Sequence, residues 1–244
     1  MFNDKAHNLV LGHRGSPLKE IENTLASFRQ AIKDGADGVE LDIRPTTDHI
    51  LVISHDNSLE RVYGAKIKVE ESTYSEVKAA APEIATLAEV FDALGPVYYD
   101  IEIKADQSVD FKREVCTLLM EELGRRKELW PKIMVSSFNP LAMRLFSRIS
   151  NRQFEMGIIY DGPPTSLPSF MRHGEGRLFF PCTFLKPKWN IATREKSRRR
   201  KYEVSPWTVD SEEAVLEMLK LDPPFIITND TEKVVRILRE QNRR

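Results

Sequence analysis

Short apolar segments alternate with longer amphipathic segments along almost the whole chain, and this alternation most constrains the fold. Parallel strands need a long crossover between them, usually a helix, so a repeated strand-helix order predicts a parallel sheet covered by helices. Eight parallel strands can close into a barrel, whereas open doubly wound sheets usually stop at about five to seven. With about eight strand candidates, the chain is predicted to form an α/β fold, a single (β/α)8 TIM barrel.

The strand candidates are short apolar runs bounded by turn residues. They cover residues 9–12, 38–44, 97–104, 133–138, 154–160, 178–182, 202–209 and 225–228. A further short strand, residues 50–54, is predicted as the return arm of an excursion from the second strand. A first helix is predicted between Thr24, a suitable N-cap, and Gly35, where a left-handed C-terminal cap favours glycine. Further helices are predicted at residues 87–94, 110–123, 141–149, 211–219 and 231–241.

The length and charge of the chain limit the number of domains and the kinds of partner. The 244 residues are 41% hydrophobic, enough for one sizeable core, so a single barrel domain over residues 1–244 is predicted. The 36 Lys and Arg nearly balance the 37 Asp and Glu. No overall field would then gather nucleic acid or an anionic membrane, so any attraction for an anion must be local.

Cysteine usage and the lack of long apolar stretches predict a location. Cys116 and Cys182 are isolated, which gives neither a disulfide framework nor a zinc-binding pattern and suits a reducing cytoplasm. Residues 1–10 lack the apolar stretch of a secretory signal, and no run approaches the roughly 20 apolar residues that span a bilayer. We expect a cytoplasmic protein without stable membrane insertion.

The first candidate site residues follow the first strand, in Gly12-His13-Arg14-Gly15. Residues at the carboxyl ends of barrel strands face the mouth, where the active sites of this fold form. A histidine can exchange a proton near neutral pH, and the planar guanidinium of Arg14 suits phosphate oxygens. This short motif is weak by itself, because a surface histidine near a turn would look the same.

Three acidic residues are predicted to meet inside the barrel. Glu40 and Asp42 share one face of the second strand, and Glu102 points inward from the third strand with Lys104 on the same face and Asp100 one pleat deeper. Two like charges about 4 Å apart repel by roughly 4 kcal/mol at an effective dielectric near 20. Such acids must therefore protonate, pair or bind a cation.

A divalent cation is the simplest partner for these acids. Oxygen ligands without cysteine favour Mg²⁺ or Ca²⁺ over zinc. The alternative is a closed ion-pair network in which Arg44, Lys104 or Arg14 neutralises the carboxylates.

A second histidine, His55, follows the short strand at residues 50–54. Two histidines at one site can divide general acid and general base catalysis between them. The sequence leaves open which one acts as the acid. His7, His49 and His173 have no such placement at a strand end and are assigned to loops. The basic run at residues 194–201 could bind phosphate or lipid headgroups, but we interpret it as a solvated helix face or loop.

Several ordered motifs resemble the glycerophosphodiester phosphodiesterase family. They are His13-Arg14-Gly15, Glu22-Asn23-Thr24, the GADGVELD segment at residues 35–42, His55-Asp56, and the segments at residues 84–90, 101–104, 136–138, 206–209 and 226–228. The resemblance covers nearly the whole chain, with little of the pattern between residues 148 and 202. It implies a barrel fold, dependence on a divalent metal, and cleavage of glycerophosphodiesters to glycerol 3-phosphate and an alcohol.

The same resemblance implies roles for eight residues. His13 and His55 become the acid–base pair, and Glu40, Asp42 and Glu102 become the metal ligands. Substrate contacts are then implied for Arg14, Lys104 and Trp207, the first two on phosphate and the tryptophan on the glycerol side. The alternative for Trp207 is an ordinary core aromatic.

The chain departs from the family pattern at a few turn positions. His49 stands where glycine is usual, Ile21 where proline is common, and Asp210 where asparagine is common, while Asn229-Asp230 replaces an ending that usually begins with aspartate. None of these positions is a predicted metal ligand.

Other functions compatible with a barrel remain open. A phosphatidylinositol phospholipase or a lysophospholipase D also uses paired histidines but needs an apolar rim, for which the candidates are Phe138, Phe170, Phe179, Phe180 and Trp189. A catalytically silent barrel would not need two histidines and three acids. An isomerase or aldolase would be expected to show a Schiff-base lysine or a glycine-rich phosphate loop, and neither stands out. The alcohol released, the choice of Mg²⁺ or Ca²⁺, the oligomeric state, and whether a glycerol hydroxyl or water attacks first are left open.

Overall fold

The computed structural model describes residues 8–105, 109–162, 174–198 and 201–243, and in these ranges nine strands form one sheet. The strands are β1 (Leu9–His13), β2 (Gly38–Pro45), β3 (Leu51–Ile53), β4 (Tyr98–Ile103), β5 (Ile133–Ser137), β6 (Glu155–Tyr160), β7 (Phe184–Pro187), β8 (Glu203–Val204) and β9 (Phe225–Thr228). Eight neighbours follow the order β8-β7-β6-β5-β4-β2-β1-β9. All pairs along this path are parallel, and β3 pairs antiparallel with β2, as its predicted role as a return arm requires.

The sheet curls on itself through the irregular segment after β8. On one side of this segment the N–H of Trp207 donates to the carbonyl of Pro187, at 3.1 Å. On the other side the N–H of Val209 donates to the carbonyl of Ile227, at 2.9 Å. Residues 205–209 therefore join β7 to β9 by backbone hydrogen bonds. The predicted barrel of parallel strands and covering helices is confirmed.

The described helices follow the strands and cover the sheet. They are α1 (Leu25–Lys33), α2 (Glu60–Tyr63), α3 (Tyr74–Ala80), α4 (Leu87–Leu94), α5 (Val109–Gly124), α6 (Pro140–Ile149), α7 (Trp189–Arg198), α8 (Glu212–Leu219) and α9 (Thr231–Glu240). Thr24 caps α1 as predicted, accepting a hydrogen bond from the N–H of Ser27, and Gly35 beyond its end has φ +97°. Among the described helices, none combines the length and the apolar composition that crossing a membrane requires.

Two apolar clusters pack on opposite sides of the sheet. Alternate residues of β2, namely Val39, Leu41 and Ile43, are fully buried and pack with the helices. A second cluster consists of Leu9, Leu11, Met134, Phe184, Phe225 and Ile227. Because Leu9 and Leu11 share a face of β1 with His13, the second cluster lies within the barrel, beneath the level of that histidine. The barrel is thus filled by apolar side chains near one end and polar ones near the other.

The prediction of a strand at residues 178–182 is wrong. A 3₁₀ helix occupies Glu175–Phe179, and Leu178 is 71% exposed, so this apolar run is not a sheet interior. The sixth barrel strand is instead β7, whose sequence FLKP includes a lysine and therefore lacks the continuous apolar pattern of a buried strand.

Two other predictions are modified by the structure. The strand predicted at residues 202–209 is regular only at Glu203–Val204, since Pro206 lacks the N–H that a regular ladder needs. Part of the basic run at residues 194–201 lies in α7, and the remainder falls outside the described residues.

Candidate active site

Strand register brings four of the predicted side chains to one end of the barrel. His13 of β1 pairs with Glu40 of β2, and two residues further along β2, Asp42 pairs with Glu102 of β4. Oxygen atoms of Glu40, Asp42 and Glu102 lie within 4.8 Å of one another, and all three side chains are buried. The alternation of strand side chains thus produces the predicted convergence of carboxylates.

Asp42 lies at the centre of the positive charges in the site. Nζ of Lys104 lies 2.9 Å from its Oδ1, and Nε of Arg14 lies 3.5 Å from its Oδ2. The side-chain amide of Asn23 donates to Oδ2 at 2.8 Å. Burial opposes ionisation, but Lys104, His55 and Arg14 hold the pKa of Asp42 well below its usual value.

Glu40 and Glu102 are less well neutralised. Burial, and then the charges of Asp42 and Glu102, raise the pKa of Glu40 well above its usual value. Burial likewise raises the pKa of Glu102, although Nζ of Lys104 donates to its Oε1 at 2.5 Å. Glu40 accepts from the backbone N–H of Arg14 at 3.0 Å. Lys104 and Arg14 contact these acids and Lys186 acts on Glu40 and Glu102, yet the pKa values of Glu40 and Glu102 stay raised, so an additional cation would relieve the repulsion between the carboxylates.

The oxygen-only donor set fits a hard divalent cation. Arg44 forms an ion pair other than those that the alternative network expects. Its guanidinium forms an ion pair with Glu70 and donates to the carbonyl of His55, at 2.9 and 3.0 Å. Lys104 and Arg14, by contrast, do contact the carboxylates, so these two residues neutralise part of the negative charge of the site.

A tight turn after β1 orients Arg14. Arg14 has φ +54° and Gly15 has φ +88°, and a Cβ on Gly15 would lie 2.4 Å from Oγ of Ser27, so only glycine fits there. The Ser27 hydroxyl donates to the carbonyl of Arg14 at 2.9 Å. The guanidinium of Arg14 then reaches Glu22, with 2.9 Å between Nη1 and Oε1.

The two predicted histidines line the same cavity. Nδ1 of His13 lies 2.7 Å from Oδ1 of Asn229, and burial, reinforced by Arg14, lowers the pKa of His13 to about 4. Nδ1 of His55 lies 2.7 Å from Oδ1 of Asp56. Burial also lowers the pKa of His55, with Lys104 acting in the same direction.

The cavity has a volume of about 90 Å³ and a lining of mixed chemistry. Its polar lining residues are His13, Arg14, Glu40, His55, Glu102, Lys104 and Lys186, and its apolar lining residues are Phe138, Ile159, Trp207 and Ile227. Trp207 contacts Phe138 edge to face, with ring centroids 5.7 Å apart. The indole N–H of Trp207 donates to the carbonyl of Lys186 at 2.9 Å. Every predicted catalytic and substrate-binding residue therefore lines this cavity, with Asp42 directly behind Lys104.

Sequence reasoning missed several residues that support the site. Lys186 is 1% exposed, forms an ion pair with Asp100 and donates to the hydroxyl of Ser136 at 2.8 Å. The available signal is Lys186 itself, a lone lysine in the otherwise apolar segment Phe184–Pro187. Likewise, Arg61 donates to Asp56 at 2.5 Å and so holds the partner of His55.

The remaining histidines include one that the structure describes. His49 lies in the turn before β3, as predicted, with φ +64°, which explains why glycine would suit its position. His7 and His173 lie outside the described residues.

Comparisons with known proteins give one consistent family. The model of the glycerophosphoryl diester phosphodiesterase family matches residues 13–233. A glycerophosphodiester phosphodiesterase of Caldanaerobacter subterraneus is 27% identical, covering 95% of this chain and 98% of that protein. The human lysophospholipase D GDPD1 is 32% identical over 42% of this chain and 38% of its own length.

Solved structures show the same fold. The glycerophosphodiester phosphodiesterase of Thermotoga maritima has a TM-score of 0.77 and 28% identity, covering 95% of this chain and 98% of that chain. A phosphodiesterase of Oleispira antarctica, solved with its product sn-glycerol-3-phosphate, has a TM-score of 0.77 and 21% identity, covering 96% of this chain and 97% of that chain.

Proposed function

Because the chain belongs to the glycerophosphoryl diester phosphodiesterase family, we propose that it hydrolyses glycerophosphodiesters to glycerol 3-phosphate and an alcohol. The observation that carries this proposal is the meeting of two histidines and three buried carboxylates around one cavity. Full-length similarity to a glycerophosphodiester phosphodiesterase supports the same substrate class. The proposal treats residues 1–244 as one catalytic domain acting on a small molecule in the cytoplasm, without nucleic acid.

Glu40, Asp42 and Glu102 are the proposed ligands of a divalent cation, Mg²⁺ or Ca²⁺. When bound, the cation would polarise a phosphoryl oxygen and offset the negative charge that develops during hydrolysis. The carboxylates come from adjacent strands whose register is fixed by backbone hydrogen bonds, so the ligand set is organised before the ion arrives.

His13 and His55 are the proposed acid–base pair. Nδ1 of each ring is engaged by a neighbouring residue, Asn229 or Asp56, so Nε2 is the nitrogen available for proton transfer. One histidine takes a proton from the attacking hydroxyl, which belongs to water or to the glycerol of the substrate, and the other protonates the departing alcohol.

The remaining cavity residues would position the substrate. Arg14 and Lys104 bring positive charge to the side of the cavity where the phosphate would lie. Trp207 and Phe138 form the apolar wall against which the carbon atoms of glycerol would pack. Because Lys104 already contacts Asp42 and Glu102, it would also keep these carboxylates partly neutralised.

The test is an assay with glycerophosphocholine and glycerophosphoethanolamine, with and without a chelator. We expect glycerol 3-phosphate and the free alcohol as products. We also expect loss of turnover with chelator and rates lower by several orders of magnitude in His13→Ala and Glu102→Ala. His49→Ala is the matched control, since His49 lies in a turn and contacts Glu114 instead of the cavity. Turnover that resists chelation, or full activity in either site variant, would refute the proposal.

A lysophospholipase D activity is the second candidate. It is favoured by the apolar wall of the cavity and by 32% identity over 42% of the chain to the human protein of that name. A cavity of about 90 Å³ is smaller than the usual range for enclosed ligands, so an acyl chain would have to lie outside it. Choline release from lysophosphatidylcholine, faster than from glycerophosphocholine, would favour this alternative.

A further inference from the structure

A chain of hydrogen bonds behind His13 leads away from the cavity to Asp210. Nδ1 of His13 lies 2.7 Å from Oδ1 of Asn229, and Nδ2 of Asn229 lies 2.8 Å from Oδ2 of Asp210. The other carboxylate oxygen of Asp210 accepts from the backbone N–H of Asn229 at 2.8 Å and from the hydroxyl of Thr228 at 3.0 Å. Asp210 therefore accepts three hydrogen bonds, one from the last residue of β9 and two from the first residue of the loop that follows it.

The donors and acceptors of this chain can be assigned by elimination. A carboxylate only accepts hydrogen bonds, so the NH₂ end of the Asn229 amide must face Asp210. The carbonyl end of the same amide then faces His13, and because a carbonyl also only accepts, Nδ1 of His13 must carry the proton. Nε2 lies 4.0 Å from Oε2 of Glu40, beyond hydrogen-bond distance.

We propose that Asp210, acting through Asn229, holds His13 in the tautomer with its proton on Nδ1 and its lone pair on Nε2 toward the cavity. The role of His13 in catalysis rests on the proposed function, but the tautomer itself does not. Asp210 and Asn229 are positioning residues in this scheme, because neither lines the cavity. A ring fixed in this way can accept a proton from a substrate or water only at Nε2.

Ring ¹⁵N spectra of the resting protein test the assignment directly. Two-bond and three-bond ¹H–¹⁵N correlations distinguish the two neutral tautomers, and comparison with His13→Gln identifies the His13 signals among the five histidines. We expect a protonated Nδ1 and an unprotonated Nε2 near neutral pH. A protonated Nε2 with an unprotonated Nδ1 would overturn the proposal, and this result does not depend on which substrate the protein hydrolyses.

Exchanging Asp210 and Asn229 tests the chain of hydrogen bonds itself. In Asp210→Asn two amides face each other, so Asn229 can flip, and a mixture of tautomers is expected with kcat lower by roughly tenfold and little change in KM. In Asn229→Asp two carboxylates face each other and a comparable loss is expected. The double variant restores one carboxylate and one amide in exchanged positions, so that the carboxylate introduced at position 229 accepts from His13. We expect it to recover the Nδ1–H tautomer and a kcat within about twofold of wild type.

Asp230→Asn is the matched control. Asp230 lies in the same loop and caps α9 through the N–H of Lys233, but it makes no hydrogen bond to the side chain of Asn229. The control is expected to leave the His13 tautomer unchanged. The proposal is refuted if the double variant recovers neither kcat nor the Nδ1–H tautomer beyond the single variants. It is also refuted if Asp230→Asn shifts the tautomer of His13 as much as Asp210→Asn does. Absence of turnover in every protein would refute the proposed function and leave the spectroscopic assignment standing.

Discussion

At the scale of single residues, the buried pair of Lys186 and Asp100 shows how polar groups are retained inside the barrel. Lys186 is 1% exposed and Asp100 is fully buried, and the hydroxyl of Ser136 donates to Asp100 at 2.8 Å. Removing one partner of a buried pair leaves an uncompensated charge in a poorly solvated interior, which costs more than the pair itself contributes.

We therefore predict that Lys186→Met lowers the free energy of unfolding by about 3–5 kcal/mol, as measured by urea denaturation. The double variant Lys186→Met with Asp100→Asn should recover part of the loss, because it leaves no buried charge. Lys66→Met is the control, since Lys66 is exposed. An equal effect in the control, or no recovery in the double variant, would contradict this explanation.

Gly15 is a second residue whose identity is fixed by its surroundings. Gly15 and Gly64 both have positive φ, +88° and +69°, but only Gly15 is crowded. A Cβ on Gly15 would meet Ser27 at 2.4 Å, whereas a Cβ on Gly64 meets nothing within 4 Å. The two glycines therefore separate the cost of the backbone conformation from the cost of the clash.

Gly64→Ala is expected to lower stability by about 1 kcal/mol, because an alanine is strained in a left-handed conformation. Gly15→Ala should cost clearly more and should also weaken substrate binding, since the turn orients Arg14. Thermal denaturation and KM measurements check both statements. Equal destabilisation by the two changes would mean that the turn can relax away from Ser27.

At the scale of elements, the excursion between β2 and α4, residues 46–86, contains a small apolar cluster separate from the main core. Val52, Leu59, Val69, Val77, Ala81 and Ile84 pack together there. The segment carries His55, and α3 within it begins with a capping box formed by Thr73 and Glu76. Local clusters of this kind can open without global unfolding.

We predict that Leu59→Ala, which removes a fully buried side chain, accelerates amide exchange across residues 51–84 while β4 and β5 keep their protection. Leu119→Ala in α5 is the matched control, because Leu119 belongs to the main core and its loss should accelerate exchange throughout. Uniform acceleration by Leu59→Ala would show that the excursion does not open independently.

At the scale of the whole molecule, the buried carboxylates link cation binding to stability. A ligand that binds only the folded state stabilises it by about 2.7 kcal/mol at a concentration 100 times its Kd. We predict that Ca²⁺ or Mg²⁺ raises the melting temperature of the wild-type protein. In the presence of a chelator, Glu40→Gln should be more stable than wild type, because it removes the repulsion of Glu40 by Asp42 and Glu102. The same variant should lose the cation-dependent rise in melting temperature.

Differential scanning calorimetry with and without the cation measures both effects. Glu114→Gln is a suitable control, since Glu114 is a surface acid that pairs with His49. A cation-dependent shift that persists in Glu40→Gln would remove Glu40 from the proposed ligand set.

Much of the architecture could be predicted because it depends on local patterns. The apolar periodicity predicted β2, β4, α4 and α9 closely, and Thr24 capped α1 as expected, since side-chain spacing and capping bonds are properties of neighbouring residues. The alternation of strand side chains also placed Glu40, Asp42 and Glu102 on inward faces. The family resemblance then supplied the expected chemistry.

Local pattern could not locate β7 or the partners of His13. Lys186 breaks the apolar run of β7, and only the tertiary structure supplies Asp100, 86 residues away in sequence, to neutralise it. Asn229 meets His13 across 216 residues because β9 closes the barrel against β1. The sequence by itself determined most of the elements and the chemical groups of the site. Only barrel closure decided which buried charges are paired and which nitrogen of His13 faces the cavity, because those depend on contacts between strands far apart in the chain.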